Sequence, residues 1–199
     1  MTHISFIRHG ETAWNTAGRL QGRTDIALNS TGLQQAKACG EYLEAKDWDI
    51  IITSPLKRAR KTAEIIQSKL EIPLIEMEEF IEVGFGEAEG LTFAERDKLY
   101  PNRDYPKKEH ADMVTKRFLK GLNKVKQQYK DQHILIVSHG AFINAIAYHY
   151  SNGRIGTGVS RLNNGGITSL YLDDTHGKIT AYNQIDHLNS LILNNDNKI

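Results

Sequence analysis

Two side chains near the start of the chain, Arg8 and His9, are suited to chemistry on an anion. They follow the apolar, β-forming run Ile4 to Ile7 and precede Gly10 and a polar stretch, residues 11–15, that suits a loop. In open α/β sheets, ligands bind outside the carboxyl ends of the strands. An uncharged imidazole there can attack phosphorus and form a covalent phosphohistidine, while a guanidinium binds the anion. An ordinary surface pair after an edge strand is the alternative.

A second histidine, His139, has the same setting. It follows the apolar run of residues 133–137 through Ser138, and Gly140 leads into a helix predicted for residues 141–150. We expect His139 to face His9 across a bound phosphate as a second donor; a satisfied histidine at the end of a sheet is the alternative. Five other histidines lack this context and are interpreted as incidental: His3, His110, His149, His176 and His187.

The third candidate, Arg58, comes shortly after a strand predicted for residues 49–53, which holds three consecutive isoleucines. Ser54 is a favoured helix N-cap and Pro55 is favoured at the first helical position, so a helix should begin there. Arg58 then lies in the first turn, where a cation opposes the helix dipole. An anion bound at the start of the helix relieves that conflict.

A carboxylate-rich loop, residues 80–90, follows a short strand predicted for residues 73–77. Glu82 comes directly after an apolar pair in this loop. Apolar neighbours raise the pKa of a carboxyl, which lets it donate a proton to a leaving oxygen. Glu82 is therefore the candidate general acid, with Glu87 or Glu89 in reserve; the alternative is a solvated loop.

The first motif resembles the signature of the histidine phosphatase superfamily, which includes cofactor-dependent phosphoglycerate mutases and many small phosphatases. Its residues are Arg8, His9, Gly10, Glu11, Thr12 and Asn15. Three more motifs follow in the family's order: Ser54-Pro55-Leu56 with Arg58-Ala59 and Thr62-Ala63, the loop of Glu82, and Ser138-His139-Gly140. Gln21-Gly22 resembles the family's loop near the substrate, with a plain turn as the alternative.

The resemblance implies a metal-independent phosphomonoester hydrolase that acts on a small phosphorylated metabolite through a phosphohistidine intermediate. It implies that His9 is the nucleophile and Glu82 the general acid, and that no cofactor or metal is needed. It also implies a structural role for Glu89 and Gly90. The implied phosphate- and substrate-binding residues are Arg8, Asn15, Gln21, Gly22, Arg58 and His139.

The choice between hydrolysis and phosphate transfer depends on the segment after the acid. The family's mutases are longer and carry an inserted segment there, whereas this chain has a short charged link, residues 102–108, and no Gly-Glu-Ser motif. That difference favours a phosphatase with an open site and leaves its natural substrate undefined. A cofactor-dependent phosphoglycerate mutase and a non-catalytic phospho-ligand binder are the alternatives.

The elements that position these residues alternate between strand and helix patterns. Together with the resemblance, they predict an α/β fold: a three-layer sandwich with a mostly parallel central sheet and helices on both faces. Helices are predicted from Ser30 to about Lys46, from Ser54 to about residue 66, and over residues 92–100, 109–129 and 141–150. Residues 18–29 should form a loop. A hairpin of residues 167–172 and 179–185, with a turn at 175–178, should close the fold.

Composition fits one domain over residues 1–199, with a frayed tail at 194–199. The 199 residues are 25% charged, with a net charge of +1, which gives no general attraction to nucleic acid or membrane. Apolar runs fall short of a membrane span, and the N-terminus lacks a signal-peptide pattern, so we expect a cytoplasmic protein. The sole cysteine, Cys39, excludes an intramolecular disulfide and should be buried in the core. The scattered histidines do not predict a metal site.

Overall fold

A computed structural model describes residues 2–44, 47–173, 176–189 and 191 of the chain. The strands are β1 Thr2–Arg8, β2 Ile50–Thr53, β3 Leu74–Glu76, β4 His133–Ser138, β5 Ile167–Leu172 and β6 Gly177–Gln184. The helices are α1 Ala13–Thr16, α2 Ser30–Tyr42, α3 Lys57–Leu70, α4 Phe93–Leu99, α5 Ala111–Gln128 and α6 Gly140–Tyr150. The tail expected at 194–199 and Thr175 of the expected turn lie outside the described residues.

The six strands form one sheet in the order β3-β2-β4-β1-β5-β6. The pairs β3–β2, β2–β4 and β4–β1 are parallel, whereas β1–β5 and β5–β6 are antiparallel. The predicted mostly parallel sheet and the closing hairpin are therefore confirmed. Strands β1 and β4 are neighbours in a register that pairs Arg8 with Ser138. Because both strands run in the same direction, His9 and His139 leave the sheet side by side.

Helices cover both faces of the sheet. On one face, apolar side chains of α5 and α6 pack on Ile134 and Ile136; on the other, those of α2 and α3 pack on Leu135 and Val137. The alternation along β4 sends successive side chains into opposite layers, as a strand buried on both faces requires. Cys39 is fully buried in the second layer, as predicted. The three-layer architecture is confirmed.

The ends of two helices differ from the prediction. Helix α2 begins at Ser30 but ends at Tyr42, short of the expected end near Lys46, a residue outside the described part. Helix α3 begins at Lys57, with Leu56 as its N-cap residue and no side-chain capping bond. The prediction that Ser54 caps this helix was wrong because its hydroxyl closes a local turn, accepting from the Leu56 N–H at 3.3 Å. Arg58 still lies in the first turn.

Loop residues 18–29 follow β1 as predicted, although one helical turn, α1, forms in the stretch just before them. Within the described residues, no helix combines the length and apolar character needed to cross a bilayer.

The loop that carries His9 packs against the start of α2 at a place with no room for a side chain. A Cβ on Gly32 would lie 2.1 Å from the Glu11 carbonyl oxygen, and one on Gly10 would lie 2.3 Å from the Gly32 carbonyl oxygen. This contact fixes the loop to the helix.

We predict that Gly32→Ala lowers the free energy of unfolding by about 1–3 kcal/mol, measured by urea denaturation, because overpacking outweighs the better helix propensity of alanine. Gly84→Ala is the control, since its Cβ would meet Arg23 Nε at an ordinary 3.5 Å. Equal stability of the Gly32→Ala and wild-type proteins would contradict the proposed close packing.

Candidate active site

A cleft of about 460 Å³ opens beyond the carboxyl ends of β1 and β4. Seven of the eight side chains or glycines predicted for the site line it: Arg8, His9, Asn15, Gln21, Gly22, Arg58 and Glu82. The eighth, His139, is fully buried behind His9, with the two ring centroids 5.2 Å apart. Residues separated by more than 100 positions in the sequence thus meet at one hollow.

The hydrogen bonds of His9 determine which ring nitrogen carries a proton. Nδ1 lies 2.7 Å from the Gly10 carbonyl oxygen, which can only accept, so Nδ1 bears the hydrogen. Nε2 accepts from Arg58 Nε at 3.2 Å and therefore presents a lone pair. Burial and the charges of Arg58 and Arg8 lower the pKa of His9 well below 6.5, so the ring stays neutral. A neutral imidazole whose Nε2 carries the lone pair is the nucleophilic form.

Arg58 is completely buried, and the backbone around it holds its guanidinium. Nη1 donates to the Thr24 carbonyl at 2.9 Å and Nη2 to the Gly22 carbonyl at 2.6 Å. With the bond to His9, these contacts use three of the five N–H donors of the guanidinium and leave two. Burial lowers the pKa of Arg58, partly offset by Glu82.

Arg8 ends β1 and keeps most of its donors available. Nη1 donates to the Leu162 carbonyl, while the buried Nε has no hydrogen-bond partner among the described residues. Burial lowers the pKa of Arg8 to about 10, with Glu82 acting in the opposite direction. The group remains a cation at neutral pH, and its free donors belong to a cleft-lining residue.

His139 is paired with Ser54, the residue expected to cap α3. Its Nε2 lies 2.7 Å from Ser54 Oγ, and its buried Nδ1 has no partner in the described part of the chain. Burial and the charge of Arg58 lower the pKa of His139 well below 6.5. The Ser54 hydroxyl therefore contacts both His139 and the Leu56 N–H.

Glu82 lies against the start of α6, and its carboxylate is almost fully buried. Oε1 accepts from the N–H groups of Val83 and Phe142, both at 2.9 Å, and Oε2 from that of Ala141 at 3.2 Å. Burial raises the pKa of Glu82, while these N–H donors and Arg58 act against it. A carboxyl with a raised pKa next to a neutral imidazole can serve as a proton donor.

Asn15 and Gln21 use their carbonyl oxygens locally and keep their NH₂ groups free within the described structure. Asn15 Oδ1 accepts from the Thr12 N–H at 3.1 Å as part of the capping box of α1. Gln21 Oε1 accepts from Thr12 Oγ1 at 2.9 Å. Each residue therefore offers amide donors to the cleft it lines.

Glu87 and Glu89, the alternative candidates for the general acid, make other contacts. Glu89 accepts from the N–H groups of Arg23, Thr24 and Phe85, each at 3.0 Å, which ties the loop of residues 20–24 to the acid loop. Its expected structural role is confirmed. Glu87 is half-exposed and pairs with Lys107 at 3.1 Å.

Asn164 is a site residue that sequence reasoning missed. Its Nδ2 donates to the His9 carbonyl at 2.9 Å and to Asn15 Oδ1 at 3.2 Å, so it ties the backbone of His9 to the loop opposite. In the sequence, Asn164 belongs to an Asn-Asn-Gly-Gly run whose turn chemistry accounts for its composition. Only the sheet order, which places β5 beside β1, brings it to the cleft.

Three further arginines line the cleft around its rim: Arg19, Arg96 and Arg161. Arg19 donates to the Gly90 carbonyl at 2.7 Å, and Arg96 lies over the Phe93 ring. Arg161 has no hydrogen bond or ion pair with any residue that the structure describes. Glu82 is the only carboxylate among the described lining residues, so the cleft carries a strong excess of positive charge. No group of three or more His, Cys, Asp or Glu side chains in the described ranges is arranged to hold a metal ion.

Comparison with known proteins agrees with this geometry. A sequence model of the histidine phosphatase superfamily (branch 1) matches residues 4–185. A Bacillus subtilis (strain 168) protein named "Uncharacterized phosphatase PhoE" is 44% identical over 192 residues, covering 96% of this chain and all of that protein. A "Metal-independent phosphoserine phosphatase" of Arabidopsis thaliana is 29% identical over 205 residues, covering 96% of this chain and 85% of that protein.

A solved relative has a similar structure. A mutant phosphoserine phosphatase from Entamoeba histolytica, in complex with phosphoserine, superposes with a TM-score of 0.79 at 31% identity, covering 94% of this chain and all of that one. The same enzyme has also been solved with 3-phosphoglyceric acid.

The two buried imidazoles make stability depend on pH. Each has a pKa below its unfolded value of 6.5, so the unfolded chain binds more protons below pH 6.5 and stability is lost as the pH falls. We predict that His139→Asn reduces this loss by up to about 1.4 kcal/mol per pH unit, a value approached about one unit below pH 6.5, measured by urea denaturation at several pH values. The pH-dependent contribution of Glu82 to stability is the same in the wild-type and His139→Asn proteins. An unchanged slope would show that His139 is protonated in the folded state.

Proposed function

Because this chain belongs to the histidine phosphatase superfamily, we propose that it is a phosphatase that hydrolyses small phosphomonoesters through a phosphohistidine at His9. The observation that carries the proposal is the state of His9: neutral, with Nδ1 tied to a carbonyl and the Nε2 lone pair directed at a buried guanidinium. An anion bound by that guanidinium is held next to the attacking atom. The family match over residues 4–185 supports one catalytic domain.

In the first step, His9 Nε2 attacks phosphorus while the bond from phosphorus to the ester oxygen breaks. The proton on the Glu82 carboxyl passes to that oxygen, and the alcohol leaves. The raised pKa of Glu82 keeps a useful fraction of the carboxyl protonated. The low pKa of His9 keeps the nucleophile unprotonated at the same pH.

In the second step, water attacks the phosphorus of the phosphohistidine. One proton of that water returns to the Glu82 carboxylate as the N–P bond breaks, and inorganic phosphate is released. His9 recovers its lone pair, and Glu82 recovers its proton, so both groups return to their starting states.

Cations and donors of this chain stabilise the charge on the transferring phosphoryl group. Among the described residues, Arg58 has two N–H donors left and Arg8 has four. Asn15 and Gln21 add neutral donors in the cleft, and we propose that the buried, unpaired Nδ1 of His139 does so from behind His9. Hydrogen bonds to charged groups contribute about 1.5–3 kcal/mol each, so a few aimed at the phosphoryl oxygens supply a substantial part of the barrier reduction. We propose that no metal ion takes part.

The excess charge at the rim favours a substrate with a second anionic group. Arg8 and Arg58 match a phosphate dianion, and Arg161 then remains as an unpaired cation within the same cleft. The Entamoeba histolytica enzyme was solved with phosphoserine and with 3-phosphoglyceric acid, both of which carry a carboxylate. We therefore propose phosphorylated carboxylic acids as the substrate class.

The first test of the proposed function compares His9, which directly follows β1, with His3, which lies on that strand. His9→Ala should abolish hydrolysis of p-nitrophenyl phosphate and of phosphorylated metabolites, by about 1,000-fold or more, because the covalent step is lost. His3→Ala, at the far, exposed end of β1, is the matched control and should retain activity. Wild type quenched in alkaline denaturant should contain phosphate on His9 that is stable to base and released by acid, and activity should persist with a chelator.

Three outcomes would contradict the proposal. Phosphate binding without turnover of any phosphomonoester would make the protein a phospho-ligand binder. Interconversion of phosphoglycerates that depends on a bisphosphate would make it a mutase. Loss of activity with chelator would show that a metal is required.

The second test concerns Arg161 and uses two substrates that differ by one carboxylate, phosphoserine and phosphoethanolamine. Arg161→Gln should raise KM for phosphoserine about tenfold or more, and change KM for phosphoethanolamine little. Arg154→Gln is the charge-matched control, because Arg154 is exposed on the same segment and lies outside the cleft lining. Equal effects on both substrates would exclude carboxylate recognition by Arg161.

A further inference from the structure

Outside the cleft, a partly buried ion-pair network of Glu109, Arg117 and Arg23 binds the backbone of the acid loop. We propose that Glu109, through Arg117 and Arg23, is a positioning residue that holds the main chain of Glu82 so that its carboxyl reaches the leaving oxygen. This inference rests on the proposed function, since it assigns Glu109 a role in the proton-donating step.

Arg117, on α5, supplies most of the contacts. Its Nη1 donates to the carbonyls of Glu79 at 3.1 Å and Ile81 at 2.6 Å, and its Nη2 lies 3.4 Å from the Glu82 carbonyl oxygen. One guanidinium therefore binds three carbonyls on the chain that leads to the acid. The same guanidinium lies 4.6 Å from the centre of the Phe142 ring, whose residue donates its backbone N–H to the Glu82 carboxylate.

Arg23 approaches the same carbonyl from the other side. Its Nε donates to the Glu82 carbonyl at 3.3 Å, and its Nη2 lies 3.1 Å from Glu109 Oε2. Arg23 comes from the loop after α1, which Glu89 ties to the acid loop. Two guanidinium groups from distant parts of the chain thus meet at one backbone oxygen.

Glu109 fixes both guanidinium groups. Its two oxygens each accept from Arg117 at 2.9 Å, and Oε2 also accepts from the Gly84 N–H at 3.1 Å. Burial acts to raise the pKa of Glu109, but Arg117, Gly84 and Arg23 outweigh it and leave the pKa lowered, so the carboxylate is ionised. The backbone N–H of Glu109 donates to the Gly84 carbonyl at 2.8 Å. The backbone on both sides of Glu82 is therefore anchored to one partly buried carboxylate.

The location of Glu109 gives this network its relevance to the reaction. Glu109 lies between the short link and α5, and it lines, together with link residues 104–108, a second, larger cavity of about 1,160 Å³. Phe85, Ala141 and Asn144 line both this cavity and the cleft, so the two hollows adjoin beside Glu82. Glu109, which holds the acid loop, therefore borders the cavity in which a leaving group could be accommodated.

Leaving-group chemistry separates a positioning role from a general structural one. An alkoxide is a poor leaving group, so an alkyl phosphate such as phosphoserine needs the proton from Glu82. p-Nitrophenolate is stabilised by its ring and nitro group and departs with little help. A displaced Glu82 therefore slows the first reaction much more than the second.

We expect Glu109→Gln to lower kcat for phosphoserine about 10- to 100-fold, within the range that general acid catalysis contributes, and kcat for p-nitrophenyl phosphate less than about threefold. Arg23→Gln should also lower kcat for phosphoserine more than kcat for p-nitrophenyl phosphate, but by a smaller factor. Because Arg23 is half-exposed, this substitution carries less risk to folding. Glu87→Gln, in the same loop but paired only with Lys107, is the control and should match wild type.

A double-variant comparison tests whether Glu109 acts through Glu82. In a Glu82→Gln background, adding Glu109→Gln should cause no further loss toward phosphoserine, because the proton donor is already absent. Equal losses toward both substrates, or a full additional loss in that background, would overturn the inference while leaving the phosphatase proposal intact. A wild-type protein that hydrolyses neither substrate would overturn both.

Discussion

The site depends on the pairing of β1 with β4. These two parallel strands are 125 or more positions apart in the sequence, yet their register sets Arg8 beside Ser138, and the residue after each is a histidine. No other neighbour in the sheet would bring the two imidazoles within 5.2 Å. The apolar runs that make these strands central also bury the ends of both, so the chemistry takes place at the edge of the core.

Burial of the arginine and histidine side chains of the site lowers the stability of the fold. Two guanidinium groups and two imidazoles occupy a region whose lining contains a single carboxylate, that of Glu82. The fold accommodates this by keeping the imidazoles neutral and by satisfying Arg58 with backbone carbonyls rather than with acids. Buried donors without a partner among the described residues, such as Arg8 Nε, lower the stability of the fold, and an anion in the cleft could accept hydrogen bonds from donors of this kind.

Much of this arrangement could be predicted from local pattern. Apolar runs marked the strands, and each catalytic candidate followed one of them, so the fold class and the cluster of Arg8, His9, Arg58 and His139 could be anticipated. What could not be predicted depends on contacts between distant residues. Ser54 has the residue type of a helix cap, but its hydroxyl closes a local turn and contacts His139. Asn164 lies 155 positions from the carbonyl to which it donates. Glu109 is only one charge in a predicted helix until the fold brings Arg23 and Arg117 to it.

The burial of Cys39 has a consequence for how the protein meets its chemical surroundings. Its thiol is the only one in the chain, is enclosed within the layer of α2 and α3, and has its pKa raised by burial to about 12. Alkylating agents and peroxides react with the thiolate form, which is almost absent at neutral pH at such a site. With the catalytic roles proposed for His9 and Glu82, the activity should therefore persist under oxidising conditions that inactivate phosphatases with a cysteine nucleophile.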